Sequence, residues 1–227
     1  EYALLIGTST LITYLSGLLL DKASKTGVKK WIVALSFVSN IGILVFYKYF
    51  DFILENVNVV LKNLDMQLVS NPFDIILPVG ISFYTFQALS YTVDVYRKDI
   101  PPEKNILKYA LFVSFFPQLV AGPIERSKNL LPQLYKIHRF DYNRVTDGLV
   151  LMAWGFFKKL VIADRIAPAV VALLAPEQTG VSFFLLSVFY AVQIYGDFTG
   201  GIDITIGIAE MMGIRLKENF NHPFSSH

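Results

Sequence analysis

The sequence predicts an all-α integral membrane protein, a multi-span helical bundle with re-entrant and broken helices. Of the 227 residues, 54% are hydrophobic and 17% are charged, whereas a water-soluble domain has roughly a quarter of its residues charged. Several apolar runs are long enough to cross about 30 Å of hydrocarbon. Lysine and arginine residues concentrate in short segments between these runs, as they do in the cytoplasmic loops of membrane proteins.

Apolar length divides the chain, residues 1–227, into the parts of one partial membrane domain. Spans are predicted at residues 2–20, 31–50, 75–96, 148–175 and 181–213, and a re-entrant segment at residues 106–122. The chain begins with Glu1 rather than Met and ends in a polar stretch, so we expect an interior piece of a longer protein.

The loop between the first two spans sets the predicted orientation. It contains four lysines against Asp21 alone. The positive-inside rule therefore places this loop in the cytoplasm and residue 1 outside.

The next two segments agree with this orientation. Residues 51–74 are acidic, which suits the outer side, and their apolar residues recur at near-helical spacing. Part of this segment is therefore predicted to lie flat at the membrane interface. Residues 75–96 then return to the cytoplasm, and Pro78 and Gly80 predict a bent beginning.

Residues 106–122 have basic residues on both sides, so this segment should enter and leave the membrane on the same side. Its apolar run is short, is interrupted by Pro117 and ends at Gly122 and Pro123, which favours a re-entrant segment. The alternative is an interfacial helix with a proline kink.

Residues 148–175 are long enough to cross the membrane, but Lys158, Lys159, Asp164 and Arg165 interrupt the apolar run. Each charge at the bilayer centre costs about 2.5–3.5 kcal/mol on insertion scales, so these residues must reach the interface, form pairs or face a polar interior. Two interpretations stay open. The charges meet lipid headgroups, or they form a cationic lining for an anionic group.

A helix over residues 181–213 would measure roughly 50 Å, which is too long for one upright span, so the helix must either break or tilt strongly. A break is predicted at residues 195–201, where three glycines and two polar side chains interrupt the apolar run. From there, small and acidic residues recur at spacings of three and four and form one helical stripe, namely Gly196, Gly200, Asp203, Gly207 and Glu210.

This stripe has two interpretations. Small residues at this spacing let helices approach closely, which explains the glycines by packing alone. Packing does not explain Asp197, Asp203 and Glu210, because carboxylates within the membrane are costly and usually mark a polar path or a buried partner. We therefore predict a buried polar network or a substrate channel, with helix capping and interface placement as the alternative.

Composition excludes several kinds of chemistry. The chain has no cysteine, and two of its three histidines, His222 and His227, lie in its final residues, so no metal site is predicted. His138 lies in a basic loop, where a solvated histidine is the ordinary interpretation. No phosphate-binding glycine motif is present, and a net charge of +2 provides no basic face for nucleic acid.

Five sequence blocks resemble the membrane-bound O-acyltransferase family in its bacterial polysaccharide branch. In chain order they are LPVGISFYTFQALSY at residues 77–91, FFPQLVAGPIER at 115–126, GFFKKLVIAD at 155–164, YGDFTGGID at 195–203 and ENFNHPF at 218–224. Their order and spacing match the family over nearly the whole chain.

The resemblance implies a longer, multi-helix protein of the bacterial inner membrane. Such a protein moves an acyl group, expected to be acetyl, from a cytoplasmic donor to hydroxyls of an extracytoplasmic polysaccharide. The donor, acyl-CoA or an acyl-carrier protein, is a substrate, and no bound cofactor is implied. Expected partners are membrane lipid, the donor, and an extracytoplasmic acyl-relay protein or the polysaccharide acceptor. The family's key histidine lies in a Trp–His pair beyond the last block, so the catalytic residue is expected beyond His227.

Polar interruptions at membrane depth define the candidate site residues. The candidates for a tunnel or polar network are Gln118, Gly122, Pro123, Tyr195, Asp197, Asp203 and Glu210. The basic candidates on the donor side are Lys158, Lys159 and Arg165, which would attract a phosphate-bearing donor arm. Two other function classes stay open. One is a membrane transporter or channel with intramembrane acids, and the other is a catalytically inactive accessory membrane subunit.

Overall fold

The computed structural model describes residues 2–71, 73, 77–174 and 179–218, and this part of the chain contains helices and no β-strand. In chain order the elements are α1 (Tyr2–Lys22), α2 (Thr26–Asn63), α3 (Ile81–Arg97), α4 (Ile106–Val113), α5 (Phe116–Ala121), α6 (Ser127–Leu134), α7 (Tyr142–Phe156), a π-helical segment (Phe157–Ala163), α8 (Asp164–Leu173) and α9 (Gly180–Met211). The chain divides into two compact units. The first comprises residues 1–115 and 126–131, and the second comprises residues 116–125 and 132–227.

The predicted class, an all-α membrane protein, is confirmed. Within the described residues, three helical stretches are long and apolar enough to cross a membrane, namely Ala3–Lys22, Thr26–Asn63 and Gly180–Met211. The crossings predicted at residues 75–96 and 148–175 and the re-entrant path of residues 106–122 stay predictions.

Helix α1 of the first unit buries several polar side chains and exposes several large apolar ones, which is unusual for a helix of a water-soluble protein. On α1, Leu11 and Leu15 are exposed, whereas Ser9 and Thr13 are buried. The Thr13 hydroxyl donates a hydrogen bond to the Ser9 carbonyl at 2.8 Å, so it needs no water. Such an arrangement suits a lipid environment, where every polar group must find its partner within the protein.

Buried side-chain hydrogen bonds join the helices of the first unit. The Ser9 hydroxyl of α1 donates to Asn40 Oδ1 of α2 at 2.6 Å. The Tyr109 hydroxyl of α4 donates to Thr13 Oγ1 of α1 at 2.7 Å. Gln87 Nε2 of α3 donates to the Phe112 carbonyl of α4 at 2.8 Å. These bonds fix the helices relative to one another without relying on the hydrophobic effect, which is weak between helices in lipid.

Helix α2 is longer than the predicted span of residues 31–50, because it continues without interruption to Asn63. Residues 51–63 thus belong to α2, and the interfacial position predicted for part of residues 51–74 stays a prediction. No glycine or proline interrupts this stretch, so nothing in the backbone ends the helix there. At 1.5 Å per residue, α2 is about 57 Å long and exceeds the hydrocarbon thickness.

Helix α3 begins at Ile81, directly after Pro78 and Gly80, the two residues for which a bent beginning of the span was predicted. Residues 75 and 76 of that predicted span lie outside the described residues. Gly80 precedes the helix at φ 75°, a left-handed conformation that glycine adopts without penalty. In residues 106–122, the helix is interrupted between α4 and α5, before Pro117. The break agrees with the missing N–H of proline.

The break predicted at residues 195–201 is wrong, because α9 runs unbroken from Gly180 to Met211. Gly196 and Gly200 face the neighbouring helical segments, and the Thr199 hydroxyl donates a hydrogen bond to the Tyr195 carbonyl at 2.6 Å within the helix. Glycine in a helix costs about 1 kcal/mol relative to alanine. An exposed break in lipid would cost more, since each unsatisfied backbone group there costs several kcal/mol.

The glycine stripe of α9 packs directly on the backbone of α7, as the packing interpretation predicts. A Cβ atom built on Gly207 would lie 2.5 Å from the Gly148 carbonyl oxygen, and one built on Gly200 would lie 2.8 Å from the Gly155 carbonyl oxygen. The two helices are antiparallel, because the earlier glycine of α7, Gly148, contacts the later glycine of α9, Gly207, and Gly155 contacts Gly200. We call these paired positions the glycine crossing.

Two Gly-to-Ala substitutions, one at the glycine crossing and one outside it, should have opposite effects on stability. Gly207→Ala places a methyl group against backbone atoms of α7, and we expect it to destabilise the protein by about 1–3 kcal/mol. Gly42→Ala, in α2, has no atom within 4 Å of the new Cβ and should stabilise by about 0.4–1 kcal/mol. Thermal unfolding of the purified protein in detergent measures both effects. Equal shifts for the two variants would contradict the close approach of α7 and α9.

Candidate functional site

The π-helical segment places two consecutive lysines against α9. Lys158 Nζ lies 2.5 Å from Asp203 Oδ2. Lys159 Nζ lies 2.5 Å from Asp197 Oδ1 and 3.1 Å from Asp164 Oδ1. Consecutive residues of a regular α-helix project in directions about 100° apart. The wider π turn, a feature often found at functional sites, lets both side chains reach carboxylates of the same neighbouring helix.

The two ion pairs differ in burial, and burial decides their energetic weight. The side chains of Lys158 and Asp203 are 10% and 19% exposed, whereas those of Lys159 and Asp197 are 40% and 55% exposed. An exposed pair contributes about 0–1 kcal/mol. Removing one partner of a buried pair leaves an uncompensated charge and costs about 3–5 kcal/mol. Lys158–Asp203 is therefore the pair on which the local structure depends.

A cavity of about 270 Å³ opens beside the buried pair, within the second unit. It combines ionic, hydroxyl, aromatic and aliphatic side chains, and its lining residues are Leu151, Trp154, Lys158, Tyr195, Thr199, Ile202, Asp203, Ile206 and Glu218. Such a mixed lining, with a few polar groups among apolar ones, is typical of small-molecule sites.

Hydrogen bonds from two earlier elements hold the backbone that leads to Glu218. Glu125 Oε2 accepts the Lys217 N–H at 2.8 Å. Gln133 donates from Nε2 to the Arg215 carbonyl at 2.9 Å and accepts the Arg215 N–H at Oε1 at 2.8 Å. Glu125 itself is buried. These contacts bring residue 218 to the cavity and connect two stretches of the chain that lie more than 80 residues apart.

The predicted tunnel candidates fall into two groups. Tyr195 and Asp203 line the cavity, whereas Asp197 does not line it and forms the exposed ion pair with Lys159. Glu210 is partly exposed on α9 and does not line the cavity.

The other tunnel candidates, Gln118, Gly122 and Pro123, are buried and lie outside the cavity lining. A Cβ on Gly122 would lie 2.7 Å from Thr205 Cγ2, which shows that the chain after α5 packs closely on α9.

Of the donor-side candidates, Lys158 and Lys159 are ion-paired, and only Arg165 is exposed with no ion pair among the described residues. The carboxylates neutralise both lysines, as the cost of isolated charge would require if this segment lies in the membrane. A donor-side role for these three residues stays a prediction. Within the described ranges, no group of three or more His, Cys, Asp and Glu side chains is arranged to hold a metal ion.

The sequence analysis missed Trp154, Thr199 and Glu218 as lining residues. Trp154 precedes Lys158 by four residues, and Thr199 precedes Asp203 by four. Residues four apart lie on one helix face, so this spacing was the available signal. No spacing in the sequence indicates that Glu218 lines the cavity, because its position depends on contacts with residues that are distant in the chain. His138 bonds the Gln133 carbonyl at 2.9 Å in an exposed loop and does not line the cavity.

Comparison with known proteins gives relatives across the whole chain. The chain is 36% identical over 233 residues to a probable alginate O-acetylase, AlgI, of Pseudomonas aeruginosa, a match that covers 100% of this chain and 44% of that protein. It is 33% identical over 255 residues to the peptidoglycan O-acetyltransferase of Helicobacter pylori, covering 100% of this chain and 47% of that protein. No protein-family model matches the chain.

A more distant relative is named for the transfer of a different acyl group. The teichoic acid D-alanyltransferase of Bacillus subtilis is 26% identical over 159 residues, which covers 68% of this chain and 40% of that protein. The chain spans less than half the length of each of these three relatives. The resemblance carried by the five sequence blocks and the similarity to acyltransferases along the chain agree, and the chain belongs to the membrane-bound O-acyltransferase family.

Proposed function

We propose that this protein is an O-acyltransferase of the bacterial inner membrane, which transfers an acetyl group from a cytoplasmic donor to hydroxyls of an extracytoplasmic polysaccharide. The observation that supports the proposal most is the match over the whole chain to two relatives that are both named for O-acetylation. The orientation with residue 1 outside follows from the lysine-rich loop between α1 and α2.

The acceptor is proposed as a carbohydrate polymer of the cell envelope, and alginate is the first candidate. The names of the relatives specify alginate, peptidoglycan and teichoic acid, which are all envelope polymers that present hydroxyl groups. We further propose an extracytoplasmic protein partner that relays the acyl group, because the polymer itself is too large to enter a cavity of about 270 Å³.

The proposed reaction is attack of an acceptor hydroxyl oxygen on the carbonyl carbon of an acyl thioester, supplied by acyl-CoA or an acyl-carrier protein. The carbon–oxygen bond forms, the carbon–sulfur bond breaks, and the hydroxyl proton passes through a general base to the leaving thiolate. Family resemblance assigns the base to a histidine beyond His227. Within this chain, Glu125 and Gln133 hold the backbone that leads toward that region and act as positioning residues.

The buried ion pair supplies a polar wall at membrane depth. Asp203 lies eight residues before the end of α9 at Met211, which places it about 12 Å along the helix from that end. A polar acyl donor or acceptor arm within hydrocarbon needs such partners, since unsatisfied polar groups there are costly. Because Lys158 and Asp203 neutralise each other, the wall serves neutral polar groups such as an ester or hydroxyl.

A gene deletion tests the proposed activity. Polysaccharide extracted from the deletion strain should release little or no acetate on mild base treatment, because base cleaves O-acetyl esters. Expression of the intact gene should restore the acetate to the parental amount. An accumulation of unmodified polysaccharide with unchanged total yield would support loss of modification rather than loss of synthesis.

Two outcomes would contradict the proposal. One is full O-acetylation of every envelope polysaccharide in the deletion strain. The other is a loss of polysaccharide export with normal acetylation of the polymer retained inside, which would favour the transporter alternative.

Substitution of either residue of the buried pair should lower the stability of the protein, whereas substitution of the adjacent lysine should change it little. Lys158→Met and Asp203→Asn each leave one buried group uncompensated, and we expect each to lower stability by about 3 kcal/mol. Lys159→Met is the matched control. It removes the adjacent lysine, whose pairs are largely exposed, and should change stability by less than about 1 kcal/mol.

The double variant Lys158→Met with Asp203→Leu separates folding from function. Replacing both charges with apolar groups should recover much of the lost stability. Acetate release should stay low, because the polar wall is absent. A stable double variant with parental O-acetylation would show that the pair is a structural contact only.

A further inference from the structure

A second cavity, of about 470 Å³, lies in the first unit, where α1 and α3 end and α2 begins. Leu20 and Asp21 lie at the end of α1, Lys29 lies in the first turn of α2, and Val95 and Lys98 lie at the end of α3. Asp99 and the following residues up to Pro102 complete the wall. Neither the cavity beside Lys158 and Asp203 nor the proposed reaction uses any of these residues.

The cavity lies at a boundary between membrane and water. The apolar stretch Ala3–Lys22 of α1 has the length of one hydrocarbon span, so its last turn reaches the boundary. Helix α2 starts after a short connection and therefore begins at the same level. Helix α3 is antiparallel to α2, since Ser36 contacts Thr92 and Lys48 contacts Ser82, so α3 ends at this level too.

Two positive and two negative side chains surround the cavity. These are Lys29, Lys98, Asp21 and Asp99, and in the described part of the chain none of them forms an ion pair within 4 Å. Apolar side chains, Leu20 and Val95, adjoin them and are buried. The cavity thus offers both charge signs beside a hydrocarbon surface, and its own lining charges sum to zero.

The backbone holds Lys98 in an unusual conformation at this wall. Lys98 follows α3 at φ 64°, in the left-handed region that the residue after a helix reaches most often as glycine. The Lys98 N–H bonds the Val95 carbonyl at 3.0 Å, and the Asp99 N–H bonds the Asp94 carbonyl at 2.9 Å. The turn therefore fixes the positions of Lys98 and Asp99 side by side at the cavity.

We propose that this cavity binds the headgroup of a zwitterionic glycerophospholipid with a primary ammonium group, as in phosphatidylethanolamine. Lys29 and Lys98 would bind the phosphate, and Asp21 and Asp99 would accept hydrogen bonds from the ammonium. The acyl chains would leave along the apolar side of the cavity into the bilayer. A ligand with both charges matches a cavity with both charges.

Other membrane headgroups fit these four side chains less well. A choline headgroup has the same charges but no N–H donor for the two carboxylates. A phosphatidylglycerol headgroup has the same phosphate but a neutral glycerol in place of the ammonium, so the two aspartates would have no cationic partner. The lysines of the loop outside the cavity attract anionic lipids in general, but such attraction is weak and falls with salt.

A competition between lipids tests the proposal on the intact protein purified in detergent. Phosphatidylethanolamine, phosphatidylcholine and phosphatidylglycerol with identical acyl chains are added in equal amounts, and bound lipid is counted by native mass spectrometry. We expect phosphatidylethanolamine to be retained preferentially, with about tenfold weaker retention of the other two, the effect of one lost charge-assisted hydrogen bond.

Matched variants locate the site. Asp99→Asn and Lys98→Gln should each reduce retention of phosphatidylethanolamine about tenfold. Lys25→Gln removes a charge from the same loop but outside the cavity and should leave retention unchanged. Lys98→Gly removes the side chain while favouring the left-handed backbone, so this variant should keep its thermal stability and still lose the lipid.

Three results would overturn the proposal. Preferential retention of phosphatidylglycerol by the parental protein would show general attraction to positive charge. Unchanged phosphatidylethanolamine retention in Lys98→Gly would show that the lipid binds elsewhere. Displacement of the bound lipid by coenzyme A would assign the cavity to a nucleotide-bearing molecule instead.

Discussion

The backbone contact between α7 and α9 is the constraint on which the second unit depends. At the glycine crossing, Gly148 meets Gly207 and Gly155 meets Gly200, and no side chain larger than hydrogen fits between the helices. The short distance brings the π-helical segment against the middle of α9. Lys158 and Asp203 then pair at 2.5 Å with little access to solvent, and the cavity forms beside them. Larger residues at the crossing would separate the two charges and leave each uncompensated.

Satisfaction of polar groups inside the protein governs both units. In the first unit, the Ser9–Asn40 and Thr13–Tyr109 hydrogen bonds join helices whose outer faces are apolar. In the second unit, ion pairs satisfy the charges that interrupt an apolar stretch. The same demand explains the unbroken course of α9, because a lipid-exposed break would leave backbone groups without partners.

Patterns that depend on local spacing could be predicted from the sequence. The end of α1 follows from the lysine-rich loop, and the glycine stripe predicts a close helix contact because residues three and four apart share one face. The carboxylates on that stripe predict a polar network, but they do not identify the residues that pair with them. Lys158 and Asp203 are distant in the chain, so their pairing could be found only once α7 and α9 were known to cross.

Features that depend on competition between energies could not be predicted. Two opposing effects act on α9 at residues 195–201. The low helix propensity of glycine favours a break, whereas the need for backbone hydrogen bonds favours a continuous helix. Packing of the glycines on α7 stabilises the continuous helix, and the sequence does not show that packing. The π-helical segment adds a residue to a turn without leaving a periodic signal, so the direction of Lys159 could not be deduced. The span predicted at residues 31–50 is shorter than α2, because a predicted span takes the length of the hydrocarbon layer, whereas no glycine or proline interrupts the helix before Asn63.

Helix α9 packs on the π-helical segment through its glycines, and disulfide trapping tests this contact most directly. This chain has no cysteine, and a Cβ on Gly196 would lie 3.4 Å from Ala163 Cβ, close to disulfide geometry. With Ala163→Cys and Gly196→Cys together, mild oxidation in native membranes should form an intramolecular disulfide in most molecules. A pair of Ala163→Cys with Leu185→Cys, on an exposed part of α9, should not link. Failure of the first pair to link, with both thiols open to maleimide, would contradict the account.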